Sequence, residues 1–420
     1  MRFDNLDQWL AWQATLHPKE IDLGLERIST VWDRLATSAL NSRVISVAGT
    51  NGKGSSVAYL EAILRAAGYR VGCYTSPHLV RYNERIVIDG RQASDEQICQ
   101  AFERIDQARG DIELTYFEFG TLAALQLFRE AELDVVVLEV GLGGRLDAVN
   151  IVDPDVALIT TVDIDHTHWL GDTREQIGRE KAGIMRPGRP VVFGGRDIPK
   201  SVREHADSLG ARLLVAGEDY QWRRQETGWE WLHPEHPRHS LPLPAMRGEV
   251  QLQNAAAVLM VLECLRQELP LDQRAVRFGL QEAALAGRFQ VAGQDPLLIF
   301  DVAHNAEAAG TLSTNLGDIF CHGTSRAVFS MLDDKEIAQV VRIMRKRFDE
   351  WYLFPLQVTR AAPLERLQAA LLAEGVEEGR IHCHDSAEHA YQAALQAATP
   401  EDRVVVFGSF YSVGDLLPQV

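Results

Sequence analysis

Apolar runs and segments of helical spacing alternate along the first half of the chain. Short, near-continuous apolar runs predict buried parallel strands at Val44–Ala48, Val135–Val140, Val156–Thr161 and Val191–Phe193. Between these runs, residues 118–132 and 173–185 have the composition and spacing of helices. Strands that alternate with helices in this way predict a doubly wound α/β domain.

The alternation breaks over residues 211–245, which are rich in Trp, His and Pro and predict short antiparallel strands and a surface hairpin. Helices are predicted at 251–267 and 273–284. A second α/β pattern then begins near Pro296, with strands predicted at Leu297–Phe300, Arg326–Phe329, Glu350–Phe354 and Arg403–Phe407. We therefore predict two domains, at residues 1–290 and 291–420.

A glycine-lysine loop follows the first predicted strand, at Gly49-Thr50-Asn51-Gly52-Lys53-Gly54-Ser55. Glycines let successive backbone N–H groups point at a polyphosphate, and the helix that follows adds partial positive charge at its N-terminus. Lys53 would supply a full charge to the β- and γ-phosphates. The spacing departs from the general phosphate-loop pattern, which indicates a narrower family; an ordinary glycine-rich turn is the alternative. The fold class is therefore α/β: a P-loop-type doubly wound N-terminal ATPase domain and a smaller Rossmann-like α/β C-terminal domain.

Composition and charge narrow the class of protein. The chain is 46% hydrophobic with a formal net charge of −17, which argues against broad nucleic-acid binding and against attraction to an anionic membrane. Its five cysteines show no C-x-x-C spacing, as in a reducing compartment. No apolar run reaches the ~18 residues of a membrane span. We expect a cytoplasmic enzyme.

Polar residues cluster where two predicted strands end. Glu139 ends an apolar strand, where a carboxylate is costly unless it is paired, and it is well placed to meet a Mg²⁺ on the nucleotide.

Gly141-Leu142-Gly143, which follows Glu139 after one residue, also resembles the opening of a dinucleotide fingerprint, with Asp163 as the ribose acid. Asp163, Asp165, His166 and His168 follow another strand and could serve a hard cation or relay protons. The alternatives are loop bonding for Glu139 and helix capping for the aspartates.

For several further residues the sequence pattern alone allows both a structural and a functional interpretation. Lys181 lies in a predicted helix, where a solvated lysine is the ordinary outcome, and Ser76 lies in a Ser-Pro turn. Asp301 and His304 follow the first strand of the second domain, and Arg288 at the domain junction could reach a phosphate. His233, His236 and His239 are a further candidate for zinc, although they lie in a Pro-rich loop without helical support.

Taken in order, these motifs resemble the folylpolyglutamate synthase group of the Mur ligase superfamily, and within it the bacterial bifunctional dihydrofolate synthase/folylpolyglutamate synthases. The resemblance spans nearly the whole chain and is carried by Gly-Thr-Asn-Gly-Lys-Gly-Ser, Thr-Ser-Pro-His, Glu-Val-Gly-Leu-Gly-Gly-Arg-Leu-Asp, Asp-His, Glu-Lys-Ala-Gly-Ile, Gly-Arg-Phe-Gln and Asp-x-Ala-His-Asn.

The resemblance implies an ATP-dependent amide ligase whose small-molecule substrates are dihydropteroate, reduced folates and L-glutamate. ATP would phosphorylate a substrate carboxylate, and the glutamate amine would attack the acyl phosphate, in a nucleotide site divided between two domains. The implied cofactors are ATP, Mg²⁺ as two ions and a carbamylated lysine, with K⁺ as an additional candidate. No nucleic acid or membrane partner is expected, and a monomer is the family-based expectation.

The resemblance also assigns roles by position. Lys53, His166, Lys181 and His304 are the expected catalytic residues, and Lys181 is the expected N6-carboxylysine. Ser76, Glu139 and His166 are the expected metal ligands. The expected nucleotide contacts are Thr50, Asn51, Gly52, Lys53, Gly54, Ser55, Asn254, Arg288 and Asp301. The expected pterin-substrate contacts are Asp22, Leu23, Gly24, Leu25, Thr115, Tyr116, Phe117, Glu118, Leu146, Asp147 and Ala148.

Three other functions remain open at this point. A folylpolyglutamate synthase without the dihydropteroate reaction would share most motifs. A peptidoglycan-type Mur ligase would need a domain for a UDP-sugar, for which we see no segment. A nucleotide-dependent regulatory protein would turn ATP over slowly.

Overall fold

The computed structural model describes residues 2–19, 21–35 and 40–417. The chain divides into two compact units, the first formed by Met1–Ala245 and Gln251–Ala284 and the second by Met246–Val250 and Leu285–Val420. In the prediction the boundary lies at residue 290, which is the first residue of a strand of the second unit. Each unit has its own buried core.

The first unit is built on an eight-stranded sheet, within the part of the chain that the structure describes, and on a separate three-stranded antiparallel sheet. Its strands are β1 (Arg43–Ala48), β2 (Val71–Tyr74), β3 (Ile86–Ile88), β4 (Arg91–Gln92), β5 (Val135–Glu139), β6 (Val156–Ile159), β7 (Pro190–Phe193), β8 (Arg212–Val215), β9 (Gln221–Arg224), β10 (Trp229–Leu232) and β11 (Arg238–Leu241). The large sheet has the order β4-β3-β2-β5-β1-β6-β7-β8, and its strands run parallel from β2 to β8. The central strands β1, β5 and β6 are almost entirely buried, which explains their continuous apolar sequences.

The helices of this unit include several with a side-chain cap at the N-terminus. They are α1 (Leu6–Leu16), α2 (Glu26–Leu35), α3 (Lys53–Ala66), α4 (Asp95–Arg109), α5 (Tyr116–Glu130), α6 (Thr167–Leu170), α7 (Arg174–Ala182), α8 (Lys200–Leu209), α9 (Glu249–Cys264) and α10 (Gln273–Glu282). Short 3₁₀ helices lie at Tyr82–Arg85 and Ala148–Ile151. Capping boxes begin α4, α5 and α7 at Ser94, Thr115 and Thr173.

The second unit is a six-stranded sheet, counted over the described residues, with the order β12-β13-β17-β14-β15-β16. Its strands are β12 (Gln290–Gln294), β13 (Leu297–Phe300), β14 (Ser325–Phe329), β15 (Glu350–Leu353), β16 (Ile381–Cys383) and β17 (Arg403–Phe407). Its helices are α11 (Ala306–Gly317), α12 (Ile337–Met344), α13 (Leu364–Ala373), α14 (Ala387–Gln396) and α15 (Phe410–Leu416), with a 3₁₀ helix at Glu378–Arg380. Among the strands that the structure describes here, only β12 is antiparallel to its neighbour, so this unit is also a mainly parallel α/β sheet.

The predicted fold class is confirmed, with differences at the sheet margins. Every strand predicted from an apolar run is present, to within two residues at each end. Residues 211–245 contain the predicted antiparallel strands, but β8 instead extends the main sheet as a parallel strand. Strands β3 and β4, at one margin of the large sheet, are short and partly exposed, so they lack the apolar run that marks a buried strand.

Candidate active site

The glycine-lysine loop connects the end of β1 to the start of α3. Gly52 caps the helix with a left-handed φ of 85°, and no side chain caps the N-terminus. A Cβ at Gly52 would lie 2.5 Å from Oδ1 of Asn254, a buried residue of α9. The position therefore needs glycine both for its backbone angle and for the close approach of Asn254. The uncapped first turn leaves the loop suited to an anion.

Threonines at the end of β6 hold the loop in shape. The Thr50 amide donates to the Thr161 carbonyl (2.9 Å), and the Thr160 hydroxyl donates to the Asn51 carbonyl (2.6 Å). The Asp163 amide donates to the Thr50 hydroxyl (3.0 Å), which places the Asp163–His166 segment beside the loop. The loop conformation is thus set by the protein before any ligand binds.

The Lys53 side chain folds back over this loop. Its Nζ donates to the carbonyl oxygens of Gly49 (3.0 Å) and Thr50 (3.2 Å). These neutral acceptors occupy the ammonium donors, and phosphate oxygens would compete for them with the advantage of negative charge. Lys53 is therefore available to a bound polyphosphate.

A carboxylate and a serine lie at the ends of the neighbouring strands β5 and β2 of the same sheet. Glu139 ends β5, which lies between β1 and β2, and its carboxyl is buried at 4% exposure. The Ser76 amide, after β2, points at Glu139 Oε2 over 3.4 Å. His166 is the N-cap residue of α6, and its Nε2 lies 3.9 Å from Asp165 Oδ2. The structure thus places Ser76 next to Glu139 at the carboxyl edge of the sheet.

The chemistry of this donor set fits a phosphate-bound divalent ion. Across residues 2–19, 21–35 and 40–417, no group of three or more His, Cys, Asp and Glu side chains is arranged for a metal. Mg²⁺ is usually held by one or two carboxylates together with substrate phosphates and water. A buried carboxylate and a hydroxyl beside a phosphate loop match that mode rather than an all-protein cage.

Lys181 is buried within α7, at 4% exposure. The solvated lysine considered above is therefore wrong. The Gly141–Asp147 segment packs on the end of this helix, since the Arg145 amide donates to the Glu180 carbonyl (2.8 Å) and a Cβ at Gly144 would lie 2.9 Å from the Lys181 carbonyl. The segment leads into a 3₁₀ helix at Ala148–Ile151 and not an α-helix, so the dinucleotide fingerprint is also wrong.

The predicted pterin segments are joined by an ion pair that sequence reasoning missed. Arg27 donates to the Asp22 carboxylate (2.6 Å) and carbonyl (2.7 Å), and its Nη2 lies 3.3 Å from Glu118 Oε1. Glu118 in turn accepts from the Thr115 amide (2.8 Å). The Asp22–Leu25 loop and the start of α5 are therefore tied together through Arg27.

Phe117 and Asp147 border the same region of the first unit. The Phe117 ring lies 5.8 Å from the Tyr74 ring and against Gly141, where a Cβ would meet it at 2.6 Å. Asp147 is buried and accepts from the Leu142 (2.8 Å) and Val149 (3.1 Å) amides. Burial raises the pKa of Asp147 to about 7, against the opposing effect of these amides and, more weakly, of Lys53.

The second unit presents its own polar cluster after β13. Asp301 accepts from the Phe289 (2.9 Å) and Ala303 (2.8 Å) amides. Burial raises the pKa of Asp301, and the nearby Arg288 guanidinium opposes that rise. Arg288 and His304 both lie against the Phe410 ring, at 5.2 and 5.6 Å. The structure thus brings Arg288, Asp301 and His304 together within this unit.

The candidate zinc histidines have separate partners. His236 Nδ1 lies 2.9 Å from Glu263, and His239 Nδ1 lies 3.0 Å from Glu230. His233 stacks between Trp231 and His236. These contacts account for the three histidines as structural residues of the loop.

Comparison with known proteins identifies the family. Residues 47–262 match the Mur ligase middle domain, and residues 287–410 match the Mur ligase glutamate ligase domain. The chain is 44% identical over 412 residues to the dihydrofolate synthase/folylpolyglutamate synthase of Escherichia coli (strain K12), covering 98% of this chain and 94% of that protein. The chain belongs to this Mur ligase family.

Solved structures of family members match at full length. The structure of E. coli FolC in complex with DHPP and ADP has a TM-score of 0.93 and 43% identity, covering 99% of this chain and 97% of that one. A bifunctional folylpolyglutamate synthase/dihydrofolate synthase with Mn, AMPPNP and L-glutamate bound has a TM-score of 0.91 and 47% identity, with 99% and 97% coverage. The chain is accordingly an ATP-dependent ligase of the Mur type.

Proposed function

We propose that the chain joins L-glutamate to dihydropteroate, giving dihydrofolate, and to reduced folates, giving polyglutamates. The observation that carries this proposal is the open phosphate loop with Lys53 after β1, together with the buried carboxylate Glu139 at the end of the neighbouring strand β5. Family relatives that bind DHPP, L-glutamate and nucleotides support the substrate classes.

The reaction needs activation because a carboxylate is a poor electrophile at neutral pH. Transfer of the γ-phosphoryl group of ATP to the substrate carboxylate gives ADP and an acyl phosphate. The amine of L-glutamate then attacks the carbonyl carbon, and the tetrahedral intermediate collapses to the amide and phosphate. Lys53 and the backbone amides at the start of α3 would stabilise negative charge on the transferring phosphoryl group.

Ser76, Glu139 and His166 would hold a divalent ion, which would neutralise charge on the phosphates. We extend the proposal to two Mg²⁺ ions, with K⁺ as a further candidate. Lys181 is proposed to carry a carbamate, supported by its burial, because a buried amine is a costly cation. Extra density on Lys181 Nζ in a crystal structure tests this point, and a bare amine would contradict it.

The remaining residues divide by ligand. Asp22–Leu25, Thr115–Glu118 and Leu146–Ala148 are proposed to contact the pterin substrate, with Phe117 as the wall for the flat ring and Asp147 as the acceptor for its N–H edge. Asn254, Arg288 and Asp301 are proposed to contact the nucleotide, with His304 near the γ-phosphate or glutamate.

A monomer in the cytoplasm is also part of the proposal, and light scattering after size exclusion tests the first of these points. Within the described residues no helix has the length and apolar character to cross a membrane.

Purified protein assayed with ATP, L-glutamate and either dihydropteroate or tetrahydrofolate tests the function. We expect ADP release that requires all three components, and products heavier by one glutamyl residue for each substrate. Turnover of tetrahydrofolate alone would leave a monofunctional folylpolyglutamate synthase. No glutamate-dependent ADP release with either substrate would contradict the proposal, and slow ATP turnover without added substrate would favour a regulatory protein.

A further inference from the structure

A buried arginine of the first unit has no acidic partner. Arg85 ends the 3₁₀ helix Tyr82–Arg85 and is only 9% exposed. Its Nε donates to Nδ1 of His78 (2.8 Å), an unprotonated ring nitrogen that satisfies the donor without offsetting the charge. Among the described residues, Nη1 and Nη2 have no hydrogen-bond partner and no carboxylate lies within ion-pair distance. The neighbouring Glu84 is occupied by the amides of Leu79 (2.7 Å), Val80 (2.9 Å) and Arg81 (2.6 Å).

Two aromatic rings offset only part of the free-energy cost of burying the Arg85 charge. The guanidinium carbon lies 5.4 Å from the Tyr82 ring centroid and 5.7 Å from that of Tyr116. A cation–π contact stabilises a cation by less than removal of an unpaired charge from water destabilises it. The comparison of magnitudes indicates that an anion completes this site when it is occupied.

The position of Arg85 points to the substrate. Its carbonyl accepts from the Thr75 amide (2.9 Å), which fixes it to the segment that carries Ser76. Tyr116, under the guanidinium, belongs to a proposed pterin segment. Burial raises the pKa of Tyr74 to about 12, and among the smaller effects Arg85 lowers it and Asp147 raises it. Both charges therefore lie within electrostatic range of one hydroxyl.

We propose that the Nη1 and Nη2 groups of Arg85 bind a carboxylate of the acceptor substrate. The guanidinium fork matches a carboxylate in two parallel hydrogen bonds, and its orientation is preset by His78 and the two rings. The inference rests on the proposed function and assigns to it a residue that the motifs did not indicate. Two sources share this chemistry: the reacting carboxylate, present in every acceptor, and the non-reacting carboxylate of a glutamyl group, present in folates only.

The test compares Arg85→Gln and Arg85→Lys with wild type, with dihydropteroate and tetrahydrofolate as acceptors. Loss of a charged hydrogen-bonded pair predicts that KM rises about 10- to 100-fold for Arg85→Gln. Arg85→Lys retains the charge and should recover part of the loss. A rise for both acceptors identifies the reacting carboxylate, and a rise for tetrahydrofolate alone identifies the glutamyl carboxylate. Unchanged KM for both acceptors overturns the proposal, even if kcat falls.

Binding measurements without turnover separate this role from a structural one. If Arg85 binds the reacting carboxylate, dihydropteroate should bind wild type more tightly than its uncharged carboxamide analogue. If Arg85 binds the glutamyl carboxylate, tetrahydrofolate should bind wild type more tightly than its analogue amidated at the non-reacting carboxylate. In Arg85→Gln the corresponding difference in affinity should be almost absent. Because Arg85 has no internal acidic partner, its substitution should leave the Tm unchanged or raise it. A large fall in Tm, with the charged ligand still bound more tightly than its uncharged analogue, would overturn the proposal. Arg91→Gln, on the exposed strand β4, makes the same charge change and should behave as wild type. Wild-type protein that binds neither dihydropteroate nor tetrahydrofolate would refute the proposed function instead.

Discussion

Each unit has a turn from the end of a parallel strand into a helix, but the two turns satisfy their backbones differently. Between β1 and α3 the N-cap is Gly52, and no side chain caps the helix. Between β13 and α11 the Asn305 side chain accepts from the Ala308 amide (2.9 Å), and Asp301 accepts from two further amides. The first turn therefore leaves its helix N-terminus to an external anion, whereas the second satisfies its own.

This difference assigns distinct chemistry to the two turns. An open helix N-terminus with a lysine binds phosphate through the backbone. A turn closed by its own acceptors contributes side chains instead, and this one carries Asp301 and His304. Equivalent positions in similar α/β units therefore do not carry equivalent functions.

The largest expected effect is at Lys53. Lys53→Ala removes the full charge from the open turn, so we expect kcat to fall about 100- to 1,000-fold with both acceptors. Steady-state ADP release measures this. Lys200→Ala is the matched control, because Lys200 also begins a helix but is exposed and pairs with Glu204. Wild-type turnover of Lys53→Ala would show that the open turn is not the phosphate site.

The substitution Gly52→Ala tests why the turn between β1 and α3 needs a glycine. The added Cβ would lie 2.5 Å from Oδ1 of Asn254, and the alanine would have to adopt a φ of 85°. We therefore expect nucleotide affinity to fall about 10- to 100-fold. Calorimetric titration with an ATP analogue measures this. Gly68→Ala has a similar φ of 92° with open space around it, so it carries the backbone strain alone. Equal nucleotide affinity in the two variants would remove the argument from close approach.

Asp147, like Asp301, is a carboxyl group that accepts hydrogen bonds from backbone amides of its own loop. Because burial raises its pKa to about 7, Asp147 is neutral below that pH and becomes a carboxylate above it. If the charged form accepts the pterin N–H edge, the KM for dihydropteroate should fall about tenfold between pH 6 and pH 8. Initial rates across this range, at saturating ATP and glutamate, measure the effect. Asp147→Ala should flatten the profile, and an unchanged slope in that variant would assign the titration to another group.

The same raised pKa predicts a pH dependence of stability in the absence of ligand. A carboxyl whose folded pKa lies above its unfolded value stabilises the fold fully below pH ~4, and this contribution is lost as pH rises through about 7. Wild type should therefore lose more unfolding free energy than Asp147→Ala across that window in urea titrations. Parallel curves for the two proteins would contradict the raised pKa.

The smallest effect is expected in the closed turn. Asn305→Ala removes the cap of α11, so the unfolding free energy should fall by about 1 kcal/mol. Ser386→Ala removes the equivalent cap of α14 and should cost a similar amount. Nucleotide affinity measured on Ser386→Ala should match wild type. A stability loss at Ser386 without one at Asn305 would show that the turn after β13 is not closed by its side chain.

The sequence alone determined the parallel strands, the phosphate loop and the order of the motifs. It did so because buried strands need continuous apolar residues, and a phosphate cradle needs glycine and lysine at fixed spacing. The resemblance then assigned Ser76 and Lys181, which pattern left ambiguous.

Only the tertiary structure decided which distant residues meet. Thr160 and Thr161 shape a loop more than a hundred positions earlier in the chain. Arg27 reaches Glu118, and Asn254 closes on Gly52, through contacts that leave no local periodic signal. Lys181, for which the pattern alone favoured a solvated lysine, is buried in the fold, and so is Arg85, which no motif indicated. The physical reason is that burial and pairing of a polar side chain depend on its neighbours across the sheet, whereas secondary structure depends mainly on neighbours along the chain.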